Sequence, residues 1–233
     1  MQNEEHDGGR FADDPSAPPG DGPSIPRAYH APTLLLLALI WAAFLFTYRD
    51  GQADWGVSGA GIGRGDYAPV FLHMFAHAGF LHIGMNSAVL LGLGGLVTTY
   101  MGRVPACWSR FLAFYLLSGL SGALVYLAIN PSGTIPMVGA SGAISGLIGV
   151  VSRLAPGGLG LMPLSSPEFR RRTLGFLKAN LVLIALFAGF MLLVGGGGGI
   201  AWEAHLGGFL FGVFGARWFI EPAYRSAASH SDA

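Results

Sequence analysis

Six apolar segments dominate the chain: Thr33–Tyr48, Phe80–Tyr100, Phe111–Ile129, Ser141–Val151, Leu174–Val194 and Ala201–Ile220. Most of them approach the roughly 20 residues that a helix needs to cross a hydrocarbon core of about 30 Å. Only 11% of the residues are charged and 52% are apolar, whereas roughly a quarter are charged in an ordinary soluble domain. The expected fold is therefore an all-α polytopic membrane protein of six transmembrane helices, with the lipid bilayer as its first partner. Formal net charge is zero and the basic residues are scattered, so no nucleic-acid partner is expected. The single cysteine, Cys107, rules out an intrachain disulfide and reads as a packing residue.

The first 28 residues are acidic and rich in Gly, Pro and Ser, as in Asp13-Asp14-Pro15-Ser16, and cannot bury enough apolar surface to hold a fold. Residues 1–28 are expected to be a disordered tail, 29–222 the membrane domain and 223–233 a short second tail. The run Gly195–Gly199 reads as a loop between the last two spans. Arg27, Arg103, Arg110, Arg153, Arg170, Arg171, Arg172, Lys178, Arg217 and Arg225 fall in the tails and alternate loops, against Arg49 and Arg64 on the other side. Both termini are thus expected in the cytoplasm. No transit peptide or organelle signal is visible, which favours a bacterial inner membrane.

The fourth segment is too short to span. From Ser141 to Arg153 it rises roughly 18 Å, well below the thickness of the core. With Arg153 at the cytoplasmic surface, Ser141 begins a helix at mid-membrane depth, and Asn130–Pro136 before it must be irregular backbone dipping toward that depth. Such backbone is tolerated only beside protein or a water-filled cavity. The helix dipole and the free N–H groups of the first turn then point at the occupant of a submerged pocket.

His205 precedes Arg217 by twelve residues, as Ser141 precedes Arg153, so the two side chains share a depth. Gly142 and Gly146, and likewise Gly208 and Gly212, lie one turn apart and form small-xxx-small faces that let two helices approach closely. That approach gives a Ser141–His205 hydrogen bond, with imidazole as base and Ser141 as nucleophile. His82 and Asn86 are four apart on one helix face; with the Ser141 backbone N–H they form an oxyanion hole. Two polar side chains inside a span are expected to be functional.

Gly139-Ala140-Ser141-Gly142, Ala204-His205 with Gly208 and Gly212, and His82-Ile83-Gly84-Met85-Asn86 together resemble the GxSG, the last-span His-Gly pattern and the HxxxN of rhomboid family intramembrane serine proteases. The resemblance covers about residues 31–220. It implies a six-helix bundle, a Ser141–His205 catalytic dyad without a third acidic member, His82 and Asn86 as oxyanion donors and Gly139 shaping the turn before the nucleophile. It also implies single-span or polytopic membrane proteins as substrates and neither metal nor cofactor. Two positions depart from the family. Ala68-Pro69 stands where many members carry Trp-Arg, and Ser145 stands where many carry an aromatic residue beneath the histidine.

The same residues admit other readings. Gly119-Leu120-Ser121-Gly122 also matches GxSG, but Ser121 lies inside a continuous helix and reads as a packing residue. His73 and His77 read as solvated or interfacial histidines rather than as zinc ligands with His82. Trp41, Trp108, Trp202 and Trp218 read as interface anchors. A soluble hydrolase elbow fails because Ala143 replaces its last glycine. A proteolytically inactive rhomboid-like protein that binds transmembrane clients is the alternative function; a small transporter would require inverted repeats, which are not visible.

Overall fold

The computed structural model describes residues 25–48, 51–156, 160–194 and 199–221. The first tail up to residue 24, Arg49, most of the Gly195–Gly199 loop and the second tail lie outside these residues. A 3-10 turn (Arg27–His30) leads into α1 (Ala31–Thr47), followed by two short helices, α2 (Gly59–Gly63) and α3 (Pro69–Leu72). Then come α4 (Phe80–Thr99), α5 (Ala106–Ile129), α6 (Ser141–Arg153), α7 (Pro167–Val194) and α8 (Trp202–Phe219). Each of the six apolar segments lies in a helix. Among the described residues there is no β-strand, only the isolated bridges Val57–Met137 and Leu154–Leu161.

Three helical stretches, Arg27–Thr47, Phe80–Thr99 and Ala106–Ile129, are long and apolar enough to cross a membrane. Their outward faces are as greasy as their inward ones. On α1, Leu36, Leu37, Ile40 and Phe44 are buried while Leu34, Leu35, Leu39 and Leu45 are exposed, and Phe46 is 83% exposed. A helix that is apolar all round is suited to lipid on its free side, so the protein is membrane-embedded.

α6 and α8 form the centre of the bundle, and they meet backbone to backbone. A Cβ built on Gly208 would overlap the carbonyl oxygen of Gly142, and one on Gly212 would overlap that of Gly146. One turn further on, a Cβ on Gly149 would strike the Phe209 carbonyl and lie 3.0 Å from Gly212 Cα. α5 closes on α8 in the same manner, since a Cβ on Gly207 would lie 2.6 Å from the Ser121 carbonyl. The Ser121 hydroxyl donates to Gly207 O at 3.0 Å, so this serine joins α5 to α8.

The far end of α6 is closed by arginines. Arg153 Nε donates to Met162 O at 2.8 Å and its Nη1 to Val213 O at 2.9 Å. Arg172 Nη1, from α7, donates to Val151 O at 3.0 Å and Leu154 O at 2.9 Å. Cations here satisfy the last carbonyls and oppose the negative end of the helix dipole. Glu168 bridges Arg171 and Arg172, and their hydrogen bonds hold its carboxyl down to about 2.

At the opposite end, the long first loop pairs with the irregular segment before α6. Val57 and Met137 exchange backbone hydrogen bonds at 3.0 and 2.8 Å, and Ala60 N–H donates to Gly133 O at 3.0 Å. Tyr126 Oη donates to Ile135 O at 2.7 Å, and Asn130 Nδ2 donates to Glu203 Oε1 at 3.1 Å. Protein groups thus satisfy backbone that no helix or strand contains. Of the tryptophans read as interface anchors, Trp218 is 66% exposed, but Trp41 donates to Ser87 Oγ at 3.1 Å. Trp41 is therefore a tie between α1 and α4.

Candidate active site

Ser141 is the first residue of α6, and no side chain caps that helix end. Two residues before it Gly139 takes φ +122°, a conformation open to glycine and strained for other residues. The turn is held from outside. Gly139 N–H donates to His73 O at 2.8 Å, and Ala140 N–H donates to His77 Nε2 at 3.4 Å. The Ser141 hydroxyl lies 2.8 Å from His205 Nε2 on α8. On its other side, His205 Nδ1 lies 2.7 Å from Asn180 Oδ1 on α7. His205 is 8% exposed, so the pair sits inside the bundle with Ser141 at the more open end.

His82 and Asn86 occupy one face at the start of α4, against the same turn. A Cβ on Gly139 would fall 2.8 Å from both Cε1 and Nε2 of His82 and 3.6 Å from Asn86 Nδ2. His82 Nδ1 accepts the Ala78 N–H at 3.4 Å, which leaves the proton of a neutral ring on Nε2, the nitrogen facing the turn. Asn86 is 8% exposed and its buried Nδ2 has no hydrogen-bond partner. A buried donor without an acceptor is rare enough to need a reason. Two N–H donors therefore converge on the mouth of α6, beside the free N–H groups of its first turn.

His73 and His77 correct the sequence reading. They are 2% and 0% exposed, buried within the protein rather than solvated. His73 Nδ1 donates to Pro69 O at 3.1 Å, which fixes the segment whose backbone carbonyl holds Gly139, while the His77 ring donates from Nδ1 to Phe75 O at 3.4 Å and accepts from Ala140 N–H at Nε2, a strut between the first loop and the Gly139 turn. Burial pushes His73 down to about 4. Burial, then the neighbouring His82, pushes His77 down to about 3. The Ala68-Pro69 departure is accommodated here, because Pro69 is the first residue of α3 and its carbonyl receives both His73 N–H groups. Asn180 also escaped the sequence reading. A lone amide inside an apolar run was its only signal.

Taken together, these features define a helical membrane protein with a hydrogen-bonded serine and histidine inside the bundle and unfilled donors beside them. The chain belongs to the rhomboid family: the Rhomboid domain model matches residues 64–221. It is 28% identical over 155 residues to Rhomboid protease GluP of Bacillus subtilis (strain 168), covering 66% of this chain and 26% of that protein. It is 29% identical over 153 residues to RHOMBOID-like protein 5 of Arabidopsis thaliana, covering 65% and 44%. It is 31% identical over 156 residues to Rhomboid protein 1, mitochondrial, of Saccharomyces cerevisiae (strain ATCC 204508 / S288c), covering 64% and 40%. The chain spans less than half the length of these relatives.

Proposed function

We propose that the protein is an intramembrane serine endopeptidase that cleaves transmembrane segments of other membrane proteins. The observation that carries the reading is the 2.8 Å contact between Ser141 Oγ and His205 Nε2, set beside the unpartnered Nδ2 of Asn86. His205 takes the hydroxyl proton as Ser141 attacks a peptide carbonyl, and returns it to the leaving amine. The oxyanion that forms accepts hydrogen bonds from His82 Nε2–H, Asn86 Nδ2–H and the Ser141 N–H. His205 then activates water to hydrolyse the acyl-enzyme, without metal or cofactor. A helical substrate must unwind locally, because its carbonyls are tied into their own hydrogen bonds, so helix-weakening residues favour cleavage.

In this reading α1, α4, α5, α7 and α8 cross the bilayer, while α6 starts at mid-depth and ends at the cytoplasmic surface. Both termini face the cytoplasm of a bacterial inner membrane, and Gly142, Gly208 and Gly212 bring the two halves of the dyad together. The test is cleavage of a panel of single-span reporters by purified protein in detergent, with fluorophosphonate labelling alongside. Loss of both signals in Ser141→Ala and His205→Ala, with Ser121→Ala active, is the expected result. A wild-type protein that neither cleaves nor labels, yet captures transmembrane clients, would overturn it in favour of client binding.

A further inference from the structure

The reaction needs His205 in one tautomer and one orientation: Nε2 bare toward Ser141 and Nδ1 protonated. On α6, Ser145 stands where many members of the family carry an aromatic residue beneath the ring. We infer that Asn180 is a positioning residue for His205, holding the imidazole in the tautomer that can act as base; the inference rests on the Ser141–His205 reading above.

The geometry determines the direction of each proton. Asn180 Nδ2 donates to Phe176 O, four residues earlier on α7, at 3.0 Å. The amide nitrogen is thereby committed to a carbonyl, and Oδ1 is the atom presented to His205 Nδ1 at 2.7 Å. Oδ1 can only accept, so Nδ1 carries the proton and Nε2 is left with a lone pair aimed at the Ser141 hydroxyl. A second group bonded to the far nitrogen is the general means of fixing an imidazole's tautomer.

Asn180 is itself braced. Phe176 stacks on Phe209 with centroids 4.0 Å apart and planes 7° from parallel. Phe176 and Asn180 are four apart on α7, and Phe209 and His205 four apart on α8. The two helices therefore meet in two rungs, one aromatic and one polar, on matching faces. A neutral amide in this place orients the base without adding a charge to the interior, where an isolated carboxylate would be costly. Its cost is that the imidazolium formed during attack gains only a dipole as partner.

The test uses the full-length protein in detergent, with the reporter cleaved best by wild type. Asn180→Leu keeps the side-chain size and removes the acceptor. We expect kcat to fall about 10- to 100-fold with KM within about twofold. Asn180→Asp restores the acceptor and adds a charge that favours the imidazolium. The base must be neutral to work, so raising its pKa moves the acidic limb of kcat/KM to higher pH, by about 1 unit or more. That displacement is independent of how much protein folds. Wild-type kcat in Asn180→Leu, or an unmoved acidic limb in Asn180→Asp, would overturn the assignment. Ser141→Ala and His205→Ala in the same series separate the two failures. If both still cleave, the dyad reading falls; if both are dead while Asn180→Leu is normal, only the role of Asn180 falls.

Discussion

Gly208→Ala should separate nucleophile from base without touching either. In the seam between α6 and α8 a Cβ on Gly208 overlaps the carbonyl oxygen of Gly142, next to Ser141. That oxygen belongs to helix backbone and cannot swing aside as a side-chain end could. An ordinary carbon–oxygen contact is roughly 3.3 Å or longer, so the helices must part by more than about 1 Å. Ser141 Oγ and His205 Nε2, now 2.8 Å apart, would then stand beyond hydrogen-bond range. A misplacement of about 1 Å costs on the order of 100-fold in rate, and forcing one methyl into a packed seam costs about 1–3 kcal/mol of stability. The assay is reporter cleavage and fluorophosphonate labelling on folded protein, with the thermal midpoint measured in the same detergent. Gly92→Ala on the exposed side of α4 is the control, because a Cβ there meets nothing within 4 Å; it should be active and no less stable. Near-wild-type labelling in Gly208→Ala would refute the claim that backbone contact sets the Ser141–His205 distance.

Asn86→Leu is expected to lower kcat about 100- to 1,000-fold while the thermal midpoint holds or rises, because it removes a buried donor that has no partner in the free protein; a midpoint drop with normal kcat would contradict this. Gly139→Ala should abolish activity and cost about 1–3 kcal/mol, since the new Cβ requires φ +122° and strikes the His82 ring; cleavage rate and denaturant midpoint test it. Stability should fall on acidification below about pH 6.5. The unfolded chain binds protons at His73 and His77 near that pH, whereas the folded protein resists until about 4 and about 3. The unfolded state therefore holds more protons across the window, with a slope of up to about 1.4 kcal/mol per pH unit for each histidine. Thermal midpoints from pH 7.5 to 4.5 would show the decline, and His77→Gln should flatten part of it.

The proximity of Ser141 and His205 was legible because both could be counted from an arginine. The structure ties those arginine-bearing ends together through Arg153 and the Val213 carbonyl. The glycine faces were legible for a related reason, since residues one turn apart carry their own periodicity. What has no period was missed. Asn180 and His205 meet across two helices, and no spacing within either predicts the encounter. A chemical argument would have found it: a buried imidazole acting as base requires an acceptor for its second N–H, and Asn180 is a polar group with no other use in an apolar span. His73 and His77 were misread because the irregular segment they brace cannot be positioned from sequence. The apolar segment begins only at Leu174, seven residues into α7, because hydropathy ignores the first turns of that helix. Pro167 and Glu168 suit a helix start, and Arg171 and Arg172 are spent on Glu168 and, for Arg172, the carbonyls at the end of α6.

Two glycine faces have no rotamers to freeze. When leucine-faced helices associate, each side chain gives up about 0.5–1 kcal/mol of conformational entropy, a loss that grows with temperature. The contact of Gly142, Gly146 and Gly149 with Gly208 and Gly212 carries no such term, and its helical backbones are ordered before they meet. The spacing between serine and histidine should therefore change little on warming, up to the point where the bundle itself gives way.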